Sequence, residues 1–150
     1  MIKIKNSIKL LLVIIITLIV SVLVLKTGII NTQTIITLNN EFQYNLISVS
    51  ATIGGFLFTG ISILLAVIDK DRIKRLWDNN YLDNLYRTSF IGILSNIITI
   101  ILSFIILFCN TSAKALNFLI YFEIFSLILG IVFFIWCVIR LMLLIKKLKQ

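Results

Sequence analysis

LISVSATIGGFLFTGISILLAVI, residues 46–68, holds no charged residue and is long enough to cross the hydrocarbon of a bilayer as one helix. Taken at a spacing of four then three, it contains Ser48, Thr52, Gly55, Thr59, Ser62 and Ala66. All six are small and four carry a hydroxyl. The remaining positions are Ile, Leu, Val and Phe, apart from Ser50, Ala51, Gly54 and Gly60. That spacing keeps the line on one helix face. The face is smooth, narrow and mildly polar inside a segment otherwise suited to lipid. It serves either as a packing seam within the bundle, since helix association in lipid relies on small residues, or as the wall of a pore between subunits.

The rest of the chain has the same character. Its 150 residues are 60% hydrophobic and 13% charged, with a mean hydropathy of +1.12. Soluble domains are roughly half apolar and a quarter charged, so this composition belongs to the membrane class. Four apolar runs approach or exceed the span length: Ile8–Leu25, Leu46–Ile68, Thr88–Cys109 and Ala115–Ile139. They predict an all-α membrane protein, a single domain of four transmembrane helices. Little chain is left for a soluble domain.

Composition also removes whole classes of chemistry. The chain has no His and no Pro, so it lacks an imidazole base or ligand and any proline-broken transporter helix. Cys109 and Cys137 fall at different depths in neighbouring antiparallel runs, which argues against a disulfide or a metal pair. No nucleophile–base pair, glycine-rich phosphate loop or metal-ligand cluster is visible. The expectation is a non-enzyme with no cofactor and no metal.

The N-terminal stretch carries Lys3, Lys5 and Lys9 around the start of the first run. Its apolar length exceeds that of a signal-peptide core and no small-x-small site follows Leu25, so the run reads as an uncleaved first span. Residues 26–45 form a connection with Lys26 and Glu41 as its charges, in which a short strand-like or interfacial segment has room. The connection between runs two and three, DKDRIKRLWDNNYLDNLYR at 69–87, differs in kind. It interleaves five basic and four acidic residues with Trp77, Tyr81 and Tyr86. Ile73, Leu76 and Trp77 continue a helical apolar face, and Asp78, Asn79 and Asn80 supply turn and cap chemistry. A cytoplasmic helical hairpin is predicted, with helix two running to about Trp77 and helix three starting near Tyr81. Asp69-x-Asp71 lacks the further oxygens, Gly and distal Glu of a calcium loop.

Lys and Arg set the orientation. With the N-terminus inside, 12 of the 14 basic residues lie on the inner side and only Lys26 and Lys114 lie outside. That asymmetry places both termini in the cytoplasm of a multi-pass protein in a bacterial inner membrane. Bacterial origin also accords with the heavy use of Ile, Leu, Asn and Lys.

Three features are candidates for function. Run three carries Gly92, Ser95, Asn96, Thr99 and Ser103 on one face, of which Asn96, Thr99 and Ser103 offer a second polar wall to the run-two stripe. Glu123 is an intramembrane carboxylate, a functional-site hypothesis by default. It serves either as a structural hydrogen-bond acceptor from Tyr121 or a neighbouring Ser/Thr, or as a ring of carboxylates in an outer vestibule that favours cations. On the cytoplasmic side Arg72, Lys74, Arg75 and Arg87 lie near Trp77, Tyr81 and Tyr86 in sequence. Such basic charge satisfies positive-inside topology and attracts anionic lipid. With its stacking rings it also suits a nucleotide, an oligonucleotide or a partner protein.

Two functions follow. One is a homo-oligomeric, channel-like effector gated from the cytoplasmic side by a nucleotide, oligonucleotide or protein cue. The other is a membrane sensor or anchor that docks a cytosolic partner on the basic hairpin and C-terminal tail. SATIGGFLFTGISILLAVIDKDRIKRLW, residues 50–77, with four spans and no enzyme motif, resembles small multi-pass membrane proteins of bacterial anti-phage defence systems. Both the Kiwa membrane-sensor type and four-span effectors that depolarise the membrane share this layout. The resemblance is one of topology across the whole chain. It implies an oligomer with a cytosolic partner or ligand, and it assigns no individual residue a role.

Overall fold

The computed structural model describes residues 2–27, 39–67, 81–108 and 113–148. They form four helices: α1 (Ile2–Lys26), α2 (Asn39–Val67), α3 (Tyr81–Phe108) and α4 (Ala113–Leu148). Segments such as VIIITLIV (13–20) and IITIIL (97–102) are rich in β-branched residues that favour strands in water. Lipid reverses that preference, because a helix satisfies every backbone N–H and C=O within its own segment.

Stretches long and apolar enough to cross a membrane occur at Asn40–Ile63, Leu82–Phe108 and Ala115–Leu143, and α1 carries a shorter one, Leu10–Val24. The 36 residues of α4 extend about 54 Å at 1.5 Å per residue. That exceeds a hydrocarbon core of about 30 Å, so α4 projects beyond it.

Two boundaries differ from the hydropathy reading. α2 starts at Asn39, seven residues before the apolar run, because its polar first turns are helical and Glu41 favours the helix N-terminus. α4 continues past Ile139 and Arg140 to Leu148. Helix three begins at Tyr81, near the position expected. Its first two turns are not a free arm: Leu82 and Leu85 are buried, and Leu85 packs in a cluster with Leu57 and Cys137. The strand-like or interfacial segment at 29–38 and the hairpin at 69–80 lie outside the described residues.

α3 is the centre of the bundle. It packs along α4 on one side and along α2 on the other, while α2 touches α4 and α1 lies against α4. Leu10, Val13 and Ile14 of α1 meet Leu129, Phe133 and Trp136 of α4 and Ile91 of α3. The outside is apolar, with Ile15, Ile16, Phe56, Phe58, Phe90, Phe108, Phe118 and Ile135 all exposed. The inside mixes an apolar core with polar residues, Gln43, Ser50, Thr88, Ser89, Ser95, Asn96, Thr99, Ser103, Glu123 and Ser126 all being buried. An exposed apolar area of this extent marks a surface for lipid or protein rather than water. Three of the four helices are long and apolar enough to cross a membrane, as in a membrane protein.

Candidate functional site

The small line of α2 faces out of the subunit. Ser48, Thr52, Gly55, Thr59, Ser62 and Ala66 are all exposed. A Cβ built on Gly55 meets nothing within 4 Å. Three of the four hydroxyls turn back on their own helix: Thr52 Oγ1 donates to the Ser48 carbonyl at 2.8 Å, Thr59 Oγ1 to that of Gly55 at 2.9 Å, and Ser62 Oγ to that of Phe58 at 2.9 Å. Satisfied in this way, they face lipid or another chain at little cost. The expectation of a seam within the four-helix unit is corrected on this point. α2 packs through its other face, where Leu46, Ser50 and Leu57 are buried and Gly54 lies beside Asn96.

The packing seam runs between α3 and α4. Going down α3 and up α4, the two helices interlock at Ser103 with Glu123, Asn96 with Gly130, Gly92 with Phe133 and Ser89 with Cys137. Gly130 is flat against the Asn96 amide, which an added Cβ would meet at 2.8 Å. Ser89 Oγ and Cys137 Sγ share a hydrogen bond of 2.9 Å. Ser126 Oγ donates to the Ser95 carbonyl at 2.7 Å, a carbonyl that also accepts from Thr99 Oγ1 at 3.1 Å. Small residues on both helices bring the backbones close enough for these contacts. Ser126→Ala removes one interhelical bond and is expected to cost about 0.5–1.5 kcal/mol. Reversible unfolding in mixed micelles measures it.

Asn96, Thr99 and Ser103 therefore do not join the α2 stripe in one wall. All three are buried inside the subunit, turned away from that line. Asn96 Nδ2 donates to the Gly92 carbonyl at 2.7 Å, and its Oδ1 is buried without a hydrogen-bond partner.

Glu123 is the most demanding group of this interior. It is wholly buried, about 12 Å along α4 from Ala115. Ser103 of α3 donates to Oε1. Gln43 of α2 donates from Nε2 to Oε2 at 3.3 Å. Three helices thus converge on one carboxyl. In a single subunit Glu123 faces neither a vestibule nor lipid; its partners are the Ser of a neighbouring helix and an amide. No cation among the described residues pairs with it.

Gln43 is the partner that starting the run at Leu46 left out. It lies in the polar stretch before the apolar run, within the residues assigned to a connection. The signal was present: carried back one turn, the inward line of α2 reads Gln43, Leu46, Ser50, Leu57, with helical spacing throughout.

Of the cytoplasmic candidates, Arg72, Lys74, Arg75 and Trp77 lie outside the described residues. Tyr81 is the first residue of α3. Arg87 is exposed and pairs with Asp83 one turn earlier at 3.4 Å, a surface contact of small energetic weight. Farther along, the Arg140 guanidinium sits 5.0 Å above the Trp136 ring, held by cation–π attraction. No group of three or more His, Cys, Asp or Glu among the described residues is arranged to hold a metal. No known protein family, characterised protein or solved structure matches this chain.

Proposed function

We propose that the protein is a non-enzymatic, homo-oligomeric membrane protein of four spans, a channel-like effector controlled from the cytoplasmic side and acting in bacterial anti-phage defence. In this reading α1 is the fourth span: its 25 residues reach about 38 Å, enough for the hydrocarbon. Both termini and the 69–87 hairpin are cytoplasmic, as the charge asymmetry requires.

One observation carries the proposal. The Ser48–Ala66 line is the smallest and most hydroxylated face of its helix, and it points away from the subunit's own core. Within one chain these residues do no packing, whereas between copies they permit the close backbone approach that drives association in lipid. Hydroxyls that donate to their own carbonyls keep lone pairs free. A ring of α2 helices would then line its axis with weak acceptors. Arg72, Lys74, Arg75, Trp77, Tyr81 and Arg87, multiplied around that axis, would form the basic, aromatic platform that an anionic nucleotide or oligonucleotide needs.

Oxidative crosslinking of Thr59→Cys in membranes, in a background lacking Cys109, is expected to give a disulfide-linked dimer, since each subunit then offers one accessible thiol. Gly55→Leu, at a position where an added Cβ meets nothing within 4 Å, is expected to erase the crosslinked dimer and leave the subunit's unfolding midpoint unchanged. Planar bilayers containing the wild type are expected to conduct when a cytosolic nucleotide is added. A strictly monomeric, electrically silent protein overturns the proposal. If that monomer co-purified a cytosolic protein, the docking-anchor function would replace it.

A further inference from the structure

The Glu123 cluster is inside one subunit and holds whether or not the α2 stripe joins copies together. Its chemistry is incomplete as it stands. A fully buried carboxyl receives one hydroxyl and one amide, has no cationic partner among the described residues, and lies in the candidate span Ala115–Leu143. Buried charges in proteins are paired or coordinate a metal. The second carboxamide atom of the same Gln43, Oε1, is also buried and has no hydrogen-bond partner. Gln43 itself is 4% exposed.

The geometry points to a monovalent-cation site, sodium-sized, formed by the Glu123 carboxylate with Gln43 Oε1 and Ser103 Oγ. Three observations lead there. The charge balances: one carboxylate among neutral oxygens neutralises one positive charge, and a divalent ion would leave an excess buried.

The spacing also fits. The 3.3 Å between the Gln43 amide and Glu123 Oε2 is long for a charge-assisted hydrogen bond, which runs about 2.7–2.9 Å. It matches two oxygens bound to one ion at about 2.3–2.6 Å, the range of calcium, an ion of sodium's size. The amide's nitrogen and oxygen ends are interchangeable by a half-turn, which would aim Oε1 at the carboxylate. Ser103 Oγ keeps its lone pairs while it donates to Oε1 of Glu123.

The position provides a route. Gln43 is one turn from the start of α2, and Asn117, just under two turns before Glu123 on α4, carries another buried amide oxygen without a partner. Neutral oxygens thus continue from the carboxyl toward the near end of the bundle, where an ion would shed water in steps. α2 makes only a narrow contact with α4 there, chiefly through Phe42 beside Ile120 and Ile124. An ion shared by Glu123 and Gln43 would tie the start of α2 to the α3–α4 pair.

The test is equilibrium binding of radioactive sodium to the full chain in detergent micelles, with choline as the balancing cation. Saturable binding near one ion per chain is expected for the wild type, and none for Glu123→Gln. Gln43→Ala, which keeps the carboxylate, is expected to raise the half-saturating sodium concentration at least tenfold. In parallel, the wild-type unfolding midpoint is expected to rise with sodium chloride over choline chloride at constant ionic strength. Absence of saturable binding overturns the site, as does binding unchanged in both variants. Should Glu123→Gln fail to fold, the Gln43→Ala titration decides alone. A midpoint that follows pH and ignores sodium also overturns it, in favour of a protonated carboxyl.

Discussion

Gly92→Leu is expected to abolish the folded bundle. A single Cβ at this position already lies 2.8 Å from Leu57 Cδ1 of α2 and 3.3 Å from Phe133 Cβ of α4, with the Phe133 backbone carbon at 3.9 Å. Leu57 ends in a flexible side chain and can give way by a small amount. Phe133 cannot, because it is fully buried and the near atom is rooted on the α4 backbone. Gly92→Ala should therefore cost about 1–3 kcal/mol, the usual range for overpacking. Leucine adds three more carbons in the same confined space. It must separate α3 from both neighbours, at a cost comparable with a whole domain's stability of about 5–15 kcal/mol. The control is Gly55→Leu, the same change on a helix face with open space at the Cβ. Size-exclusion profiles in detergent should show aggregate for Gly92→Leu and a monodisperse peak of folded protein for the Gly55 variant. A monodisperse, cooperatively unfolding Gly92→Leu protein would show that α3 is not the central packing helix.

The second large effect concerns the interior carboxyl. Ser103→Ala leaves Glu123 with the long Gln43 contact as its remaining bond, so one oxygen of a buried carboxyl loses its donor. Stranding a buried polar group costs about 1–3 kcal/mol, and more for a charged one, so a loss of about 3 kcal/mol is expected. Replacing the whole network should behave in the opposite way. A buried polar set exchanged for apolar residues of similar volume is often neutral or stabilising. The triple variant Gln43→Leu, Ser103→Ala, Glu123→Met is therefore expected to unfold at or above the wild-type denaturant midpoint, although it contains the same Ser103→Ala change. If the triple variant were as weak as the single one, the cost would come from lost packing at Ser103 and not from the carboxyl. Folded but lacking its carboxylate, it is also the reference protein for sodium binding.

Both effects depend on residues whose type is visible in the sequence and whose partners are not. Gly92, Ser95, Asn96, Thr99 and Ser103 stand out as a small, polar line at helical spacing, and Glu123 stands out as an acid in an apolar run. Their pairing needs the α3–α4 register. The few residues of sequence between those helices make them antiparallel neighbours but leave their rotation open. Gln43 was harder to find: it precedes the uncharged run that begins at Leu46 and was assigned to a connection, although the helical periodicity continues through it.

What the sequence by itself determined is local and one-dimensional. Long uncharged runs in lipid must be helices, because no other open segment satisfies its backbone there. A repeat of three and four places chosen residues on one face whatever surrounds them. Tertiary structure decided which face turns inward. Residues 46–68 offer two candidate faces, the Ser48–Ala66 line and the Ser50–Gly54–Leu57 line, and both contain small residues. In water, hydrophobicity would choose between them. In lipid that preference nearly vanishes, since a Thr bonded to its own helix costs little facing outward. The choice then falls to shape and to unsatisfied polar groups: Leu57 fits over Gly92, Gly54 makes room beside Asn96, and Glu123 draws Gln43 to the interior. These contacts turn the smoothest face of α2 outward.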